Sequence, residues 1–285
     1  MRTLILGAHG IVGRALAAET RRRGWVTLAV ARAQGDVQDR GRLLALATAF
    51  RPALVVNCAA FTQVDLCETR RDLALAINGV AVGHVVAAAA AVGARTIQIS
   101  SDYVFDGRAT RPYREDDPTG PLSAYGESKL AGEVAALADP RALVVRSSWI
   151  FGAGGASFPA ALLARMESGE RSFRVVSDQT GAPTYAPFLA RALADLGESG
   201  ASGRIHYRNR EPATWYDFAC AIARRVDPEI EVAPVPTTEF PRPASRPAYS
   251  VLDVERFEAS VGRRVEEWER GLDDFLAARR KGALS

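Results

Sequence analysis

Tyr125 and Lys129 stand four residues apart in the stretch Tyr125-Gly126-Glu127-Ser128-Lys129. On a helix that spacing puts them on one face, a single turn apart. A phenol beside an ammonium is a proton donor suited to near-neutral pH. Free tyrosine titrates near ~10, and a neighbouring cation favours the phenolate. Composition sharpens the pairing: of 36 lysines and arginines, only Lys129 and Lys281 are lysine. Lysine offers a compact charge with three rotatable donors, which a planar guanidinium cannot copy. Taken alone, the pair also fits a solvated helix face, so the flanking elements decide.

Residues 2–6 read as a short apolar strand that breaks into Gly7-Ala8-His9-Gly10-Ile11-Val12-Gly13, with a helix from Arg14 to Arg23. In a strand–loop–helix unit the first glycine permits the turn and the second lets backbone approach a pyrophosphate. The third lets the helix pack on the strand, and free N–H groups at the helix start bind phosphate. The spacing is G-x-x-G-x-x-G rather than the standard fingerprint, but its position predicts a dinucleotide site at Gly7, Gly10, Ile11, Val12 and Gly13. His9 reads as a spacer. Val26–Ala31 is the expected second strand. An NAD-selective fold carries an acidic residue near its end; Arg32 stands there instead and suits a 2′-phosphate, favouring NADPH, unless it simply faces solvent. Asp36-Val37 is expected to form a short third strand, with the carboxylate meeting the adenine.

Arg40–Phe50 reads as a helix and Leu54–Asn57 as a buried strand ending in the small residues Cys58, Ala59 and Ala60. A long helix follows over Asp72–Val92. Asn78 inside it is a mediocre helix former and is expected to have a local bonding role. The strand Thr96–Ser100 runs into Ser101, Asp102 and Tyr103, whose polar groups are candidate ligand contacts or turn chemistry. The helix carrying Tyr125 and Lys129 ends near Leu137, and the strand Ala142–Arg146 leads to Ser147-Ser148-Trp149. This alternation predicts an α/β fold with a doubly wound, Rossmann-type parallel sheet over residues 1–150. Residues 151–285, with helices over 157–168 and 215–226 and a proline-rich stretch at 233–247, read mainly as a substrate-binding lobe. Some of its segments are expected to return to the core sheet.

The length of 285 residues fits one large domain or two unequal ones. A net charge of +3 with scattered arginines gives no basic stripe for nucleic acid. The run Val80–Val92 reads as too short to span a bilayer, and the N-terminus enters a strand at once, so the chain is expected to be cytoplasmic without a membrane partner. Cys58, Cys67 and Cys220 lack metal or redox spacing.

Together the glycine loop, the hydroxyl residue and the Tyr-x-x-x-Lys pair resemble the extended short-chain dehydrogenase/reductase family, and within it the dTDP-4-dehydrorhamnose reductases. The resemblance runs almost end to end, through 56–65, 100–107, 125–133 and 146–152. The segments 178–184 and 246–253 are the discriminating ones. It implies reduction of dTDP-4-dehydro-L-rhamnose to dTDP-L-rhamnose by NADPH, with NADH also accepted. Ser101, Tyr125 and Lys129 would be catalytic, Tyr125 as general acid. The coenzyme would meet Gly7, His9, Gly10, Ile11, Val12, Gly13, Arg32, Asp36, Val37, Cys58, Ala59, Ala60, Tyr125 and Lys129. The nucleotide-sugar would meet Thr62, Val64, Ser101, Asp102, Tyr103, Trp149, Gln179, Thr184 and Arg246. Ser101 replaces the family's common threonine, and Phe61 its usual tyrosine. The chain is expected to be a monomer or a homodimer; some members of the family use Mg2+ at a dimer contact, but no carboxylate spacing here predicts a metal site. Competing readings are an epimerase or dehydratase, opposed by the missing glutamate after Asp102; a 4-ketoreductase for another nucleotide deoxysugar; and a non-catalytic relative, the regulatory subunit of methionine adenosyltransferase.

Overall fold

A computed structural model of the chain describes residues 1–280; Lys281 lies outside them. In chain order the first part contains β1 (Arg2–Leu6), α1 (Ile11–Arg22), β2 (Val26–Val30), α2 (Arg40–Phe50), β3 (Leu54–Asn57), α3 (Val64–Thr69), α4 (Arg71–Leu75), α5 (Ala81–Ala90), β4 (Arg95–Ser101), α6 (Ala124–Ala136) and β5 (Leu143–Ser147). Then come β6 (Ile150–Phe151), α7 (Phe158–Glu167), β7 (Ser172–Val176), β8 (Thr180–Gly181), β9 (Thr184–Tyr185), α8 (Ala186–Ser199), β10 (Gly203–His206), β11 (Ala213–Thr214), α9 (Trp215–Val226), β12 (Glu231–Val235), α10 (Glu255–Val261) and α11 (Trp268–Arg280).

β3 and β5 are buried at every position, as strands covered by helices on both faces must be. Six strands form one sheet in the order β10-β5-β4-β3-β1-β2, every neighbouring pair parallel. The chain moves outward from β1 to β2, then resumes on the other side with β3. That reversal is the switch point at which such sheets bind ligands. Gly7 and Cys58 leave the two strands there.

Three sequence expectations need correction. Asp36-Val37 is not a strand. The Asp36 carboxylate accepts from the Gln38 N–H at 3.0 Å and the chain turns back through an Asp39 N–H to Asp36 carbonyl bond, so local turn bonding wins over a further ladder. Second, the apolar helix runs over Arg71–Ala90 and is long and apolar enough to cross a membrane. Half of it, however, is buried inside the fold, packed on α2, β3, β4 and α6. Third, α4 and α5 are joined through a wide π-helical turn at Ala76–Val80.

The remaining strands pair in short ribbons: β6 with β9, β7 with β12, β8 with β11. β10 joins the edge of the main sheet beside β5, and α8 lies against α1. One apolar cluster joins Ile5, Val56, Ile97 and Val145 of the sheet to Leu189 and Leu193 of α8. The same cluster extends to Phe151, Phe218 and Phe275. The positions of the late elements are therefore fixed through a shared core.

Candidate active site

The first turn of α6 is set by Ser123, whose hydroxyl accepts from the Gly126 N–H at 3.2 Å, an N-cap bond. Tyr125, Lys129 and Glu133 follow at four-residue intervals along the helix. Lys129 is 3% exposed, and its ammonium donates to the Ile99 carbonyl of β4 at 2.6 Å. Burial lowers it to about 8, with the Glu133 charge opposing, so it stays mostly protonated at neutral pH. The Tyr125 phenol faces Ser101 at the end of β4. One expectation fails here: the phenol is not lowered by Lys129. Burial pushes it up, the Ser101 hydroxyl opposes, and the Asp102 charge adds to the rise. Tyr125 therefore keeps its proton until a stronger base meets it.

Glu133 was not singled out from sequence, yet it fastens this helix. Its carboxylate takes the Arg146 guanidinium at 2.8 and 2.7 Å and the Ser100 hydroxyl at 2.6 Å. Both charges are fully buried, and Arg146 also lies over the Phe105 ring. α6 is thus bound to β4 and β5, one residue from Ser101. On its other side α6 presents Gly132, where a Cβ would collide with the Asn78 carbonyl of the π turn. Asn78 has the bonding role expected of it. Its amide accepts from the Phe61 N–H at 2.8 Å, donates to the Phe61 carbonyl at 2.9 Å, and donates to the Ser128 hydroxyl at 3.0 Å.

The glycine loop meets the requirements of a dinucleotide cradle. Gly7 has φ +77°, and a Cβ there would lie 2.6 Å from the Ala59 backbone nitrogen; one on Gly13 would collide with the Gly7 carbonyl. A side chain at Gly7 would fill the space between the loop and the residues that follow β3, and one at Gly13 the space between α1 and the loop. Gly10 caps α1 and is exposed, with no acidic residue in the first helical turn, so the N–H groups near Ile11 and Val12 can meet an anion. His9 is exposed, and its carbonyl accepts from Arg14. Cys58, Ala59 and Ala60 line the end of β3, half-buried. Burial pushes the Cys58 thiol up to about 12 while the nearby Lys129 charge opposes, so it is no nucleophile. Arg32 is exposed and bonds Asp36 at 3.1 Å. Val37 is buried in the core with Leu4, Leu6 and Val30.

On the lobe side, Trp149 adopts the left-handed backbone at φ +45°. Its indole lies against Gly181, where a Cβ would come within 2.5 Å of the ring. The other side is stacked on Trp215, centroids 3.5 Å apart and 7° from parallel. Trp215 donates to the Gln179 amide at 3.2 Å, and Gln179 donates to the Thr237 hydroxyl at 2.9 Å. Arg246 bonds Asp65 at 2.5 Å and the Ala244 carbonyl. Tyr103 packs its ring edge-on to Tyr125, centroids 5.8 Å apart. Thr62 is exposed and Val64 half-buried at the start of α3. Two expected contacts are enclosed instead. Thr184 is 0% exposed, locked behind Trp149 by its backbone N–H to the Trp149 carbonyl, and Asp102 is 2% exposed.

A family model described as the RmlD substrate binding domain matches residues 1–281. A dTDP-4-dehydrorhamnose reductase from Streptomyces griseus is 40% identical over 97% of this chain and 93% of its own length. The chain belongs to the dTDP-4-dehydrorhamnose reductase family. A solved structure from that family, the Bacillus anthracis enzyme in complex with NADP, superposes with a TM-score of 0.93 at 31% identity, over 97% of this chain and 98% of that one. A Streptomyces antibioticus relative, a probable dTDP-4,6-dihydroxy-2-methyloxan-3-one 4-ketoreductase by name, is 38% identical over 98% of this chain and 97% of its own length. Residue type alone assigns no role to Trp215, Asp65, Glu133 or Arg146. Glu133 carried a legible signal, since it continues the four-residue spacing of Tyr125 and Lys129. Trp215 carried only its residue type.

Proposed function

We propose that the chain reduces dTDP-4-dehydro-L-rhamnose to dTDP-L-rhamnose, with NADPH preferred and NADH accepted. The observation that carries this reading is the convergence of Ser101, Tyr125 and Lys129 at the carboxyl edge of the sheet that also carries the glycine cradle. The names of the relatives support the substrate class, and the NADP complex of the Bacillus anthracis enzyme supports the coenzyme class. Residues 1–150 would hold the coenzyme, through Gly7–Gly13 at its diphosphate, Arg32 and Asp36 at its adenosine end, and Cys58–Ala60, Tyr125 and Lys129 near its reactive end. When bound, the reduced nicotinamide supplies the hydride.

This chain's own residues supply the rest. Tyr125, kept protonated by burial, gives its proton to the alkoxide as it develops. Ser101 hydrogen-bonds the carbonyl oxygen and stabilises charge as it develops. The Lys129 charge favours the phenolate left behind. Residues 151–285 would chiefly hold the sugar nucleotide, with Trp149 as an apolar plane and Gln179 and Arg246 at the diphosphate. The reading places the chain in the cytoplasm, as a monomer or homodimer acting on a small molecule, with neither nucleic acid nor membrane as partner. A different nucleotide deoxysugar is the second reading, favoured by the match to the Streptomyces antibioticus 4-ketoreductase.

The test is NADPH oxidation with freshly generated dTDP-4-dehydro-L-rhamnose. Tyr125→Phe should lower kcat by about 10²–10⁴-fold, the usual worth of a positioned general acid, and leave NADPH affinity unchanged. Failure of the folded, NADPH-binding wild type to oxidise coenzyme would discard this substrate. Undiminished turnover in Tyr125→Phe would discard the role of the phenol.

A further inference from the structure

Asp65 lies in the first turn of α3, and its carboxylate gathers a segment far along the chain. Arg246 Nη1 donates to Asp65 Oδ1 at 2.5 Å and to the Ala244 carbonyl at 2.6 Å. The Ala244 N–H donates to the same carboxylate oxygen at 3.2 Å, and Arg242 Nη1 stands 3.9 Å from the other oxygen. Pro241, Pro243 and Pro247 interleave these residues. Each proline fixes its own φ, so few anchors hold the segment. Its far end is anchored as well: the Tyr249 N–H donates to the Gly107 carbonyl at 3.2 Å, and a Cβ on Gly107 would lie 2.6 Å from Pro247 Cα.

Two arginines on one carboxylate leave one positive charge over. Both bonds of Arg246 use Nη1; among the described residues no hydrogen bond engages its Nε or Nη2. Those two nitrogens form the edge with which a guanidinium takes two oxygens of a phosphate at once. The other side of α3 is tied to the helix that carries Tyr125. Glu68, three residues after Asp65, accepts the Ala124 N–H at 2.8 Å.

We propose that Asp65 is a positioning residue that holds the free edge of Arg246 toward the diphosphate of the sugar nucleotide. The proposal rests on the reductase reading above, which assigns Arg246 to the diphosphate but gives Asp65 no part. α3 then acts as a bracket, with Glu68 fixing one side of it beside Tyr125 and Asp65 fixing the other beside the phosphate grip. A free arginine loses rotamer freedom when it closes on an anion, whereas one already tied at Nη1 has lost most of it beforehand. The Arg246 guanidinium in turn holds the Asp65 carboxyl below the ordinary carboxylate range, so the pair stays ionised at neutral pH. Both side chains remain partly exposed, which lets a phosphate reach the free edge.

The test is a double-mutant cycle on dTDP binding, measured by calorimetry on the protein saturated with NADP+, with Asp65→Ala, Arg246→Ala and the double variant. Asp65→Ala should weaken dTDP binding about tenfold, the size of a lost charge-assisted bond. KM for dTDP-4-dehydro-L-rhamnose should rise by a similar factor, while kcat and NADPH affinity stay within about twofold of wild type. In the Arg246→Ala background, Asp65→Ala should change dTDP affinity by less than about twofold, because a residue that acts only through Arg246 has nothing left to position. Asp65→Asn, close in shape, repeats the cycle should the alanine variant lose NADPH binding. Tighter dTDP binding in Asp65→Ala would mean that the carboxylate competes with the phosphates, and additive losses would mean that it acts independently of Arg246. Either result overturns the proposal, as does a fall in kcat with dTDP affinity unchanged or a wild type without measurable affinity for dTDP. A wild type that shows this coupling yet oxidises no NADPH with dTDP-4-dehydro-L-rhamnose supports the bracket and discards that ketosugar as the substrate.

Discussion

The two walls of the cleft are built differently. On the sheet wall, Tyr125, Lys129 and Ser101 stand on regular elements fastened by buried groups: Glu133 with Arg146 and Ser100, Asn78 with Phe61 and Ser128, Lys129 with the Ile99 carbonyl. On the lobe wall, Trp149, Trp215, Gln179 and Arg246 come from four separate segments and support one another. They do so through a ring stack, an indole-to-amide bond and an ion pair to Asp65 that is partly open to solvent. Chemistry that needs placement within a few tenths of an ångström sits where the fold has least freedom. Recognition of a large, flexible ligand sits where small adjustments are possible. A buried ion pair loses much when one partner is removed, whereas a stacked ring or an exposed pair loses little.

This contrast can be broken at several points. The largest effect should come from Glu133→Gln, which leaves the Arg146 charge buried without its counter-ion and should cost about 3 kcal/mol or more in urea unfolding. Pairing it with Arg146→Met should recover much of that loss. If the single substitution is neutral, the sheet wall is not the rigid one. Next, Trp215→Ala removes one face of the Trp149 stack, worth about 1 kcal/mol. KM for the nucleotide-sugar should rise about fivefold, with NADPH affinity and the melting temperature close to wild type. A larger fall in kcat than in sugar affinity would mean that the lobe wall positions the reacting carbon itself. The smallest effect belongs to Arg32→Ala at the exposed adenosine rim, where the pair with Asp36 contributes little to stability. It should reduce the NADPH-to-NADH preference about threefold, measured as the ratio of kcat/KM values. An unchanged ratio would return Arg32 to the role of a solvent-facing cation.

The same contrast explains what could be seen in the sequence. Glycines at 7 and 13, the Tyr125–Lys129 interval and the apolar strands act over short range, and each has one structural solution that composition reveals. Asn78 was legible because a poor helix former in a helix needs a reason. The lobe was not legible in this way. Thr184 has the residue type of a ligand contact, but its neighbours Trp149 and Tyr185 close over it, and burial depends on segments far away in sequence. Asp36-Val37 reads as a strand by residue type, yet a side-chain bond within three residues turns the chain first. The lowered phenol expected from Lys129 likewise failed on a non-local quantity, since desolvation by the whole surround outweighs one charge. Helix α8, with Phe188, Leu189, Leu193 and Leu196 on one buried face, had a clear apolar period that the prolines around it obscured.

The π turn at Ala76–Val80 gives the helix one residue more than its regular hydrogen-bond ladder can use. Insertions of this kind leave the faces of both flanking halves in register, so a one-residue deletion inside the turn would restore an ordinary helix. The side chains of Val82, Val85 and Ala89 would stay in the core. What would vanish is the bulge that carries the Asn78 amide to the Phe61 backbone and to α6. In genetic terms the extra residue is a separable part: a shorter allele would still fold, and would lose only the clasp between the loop after β3 and the helix bearing Tyr125.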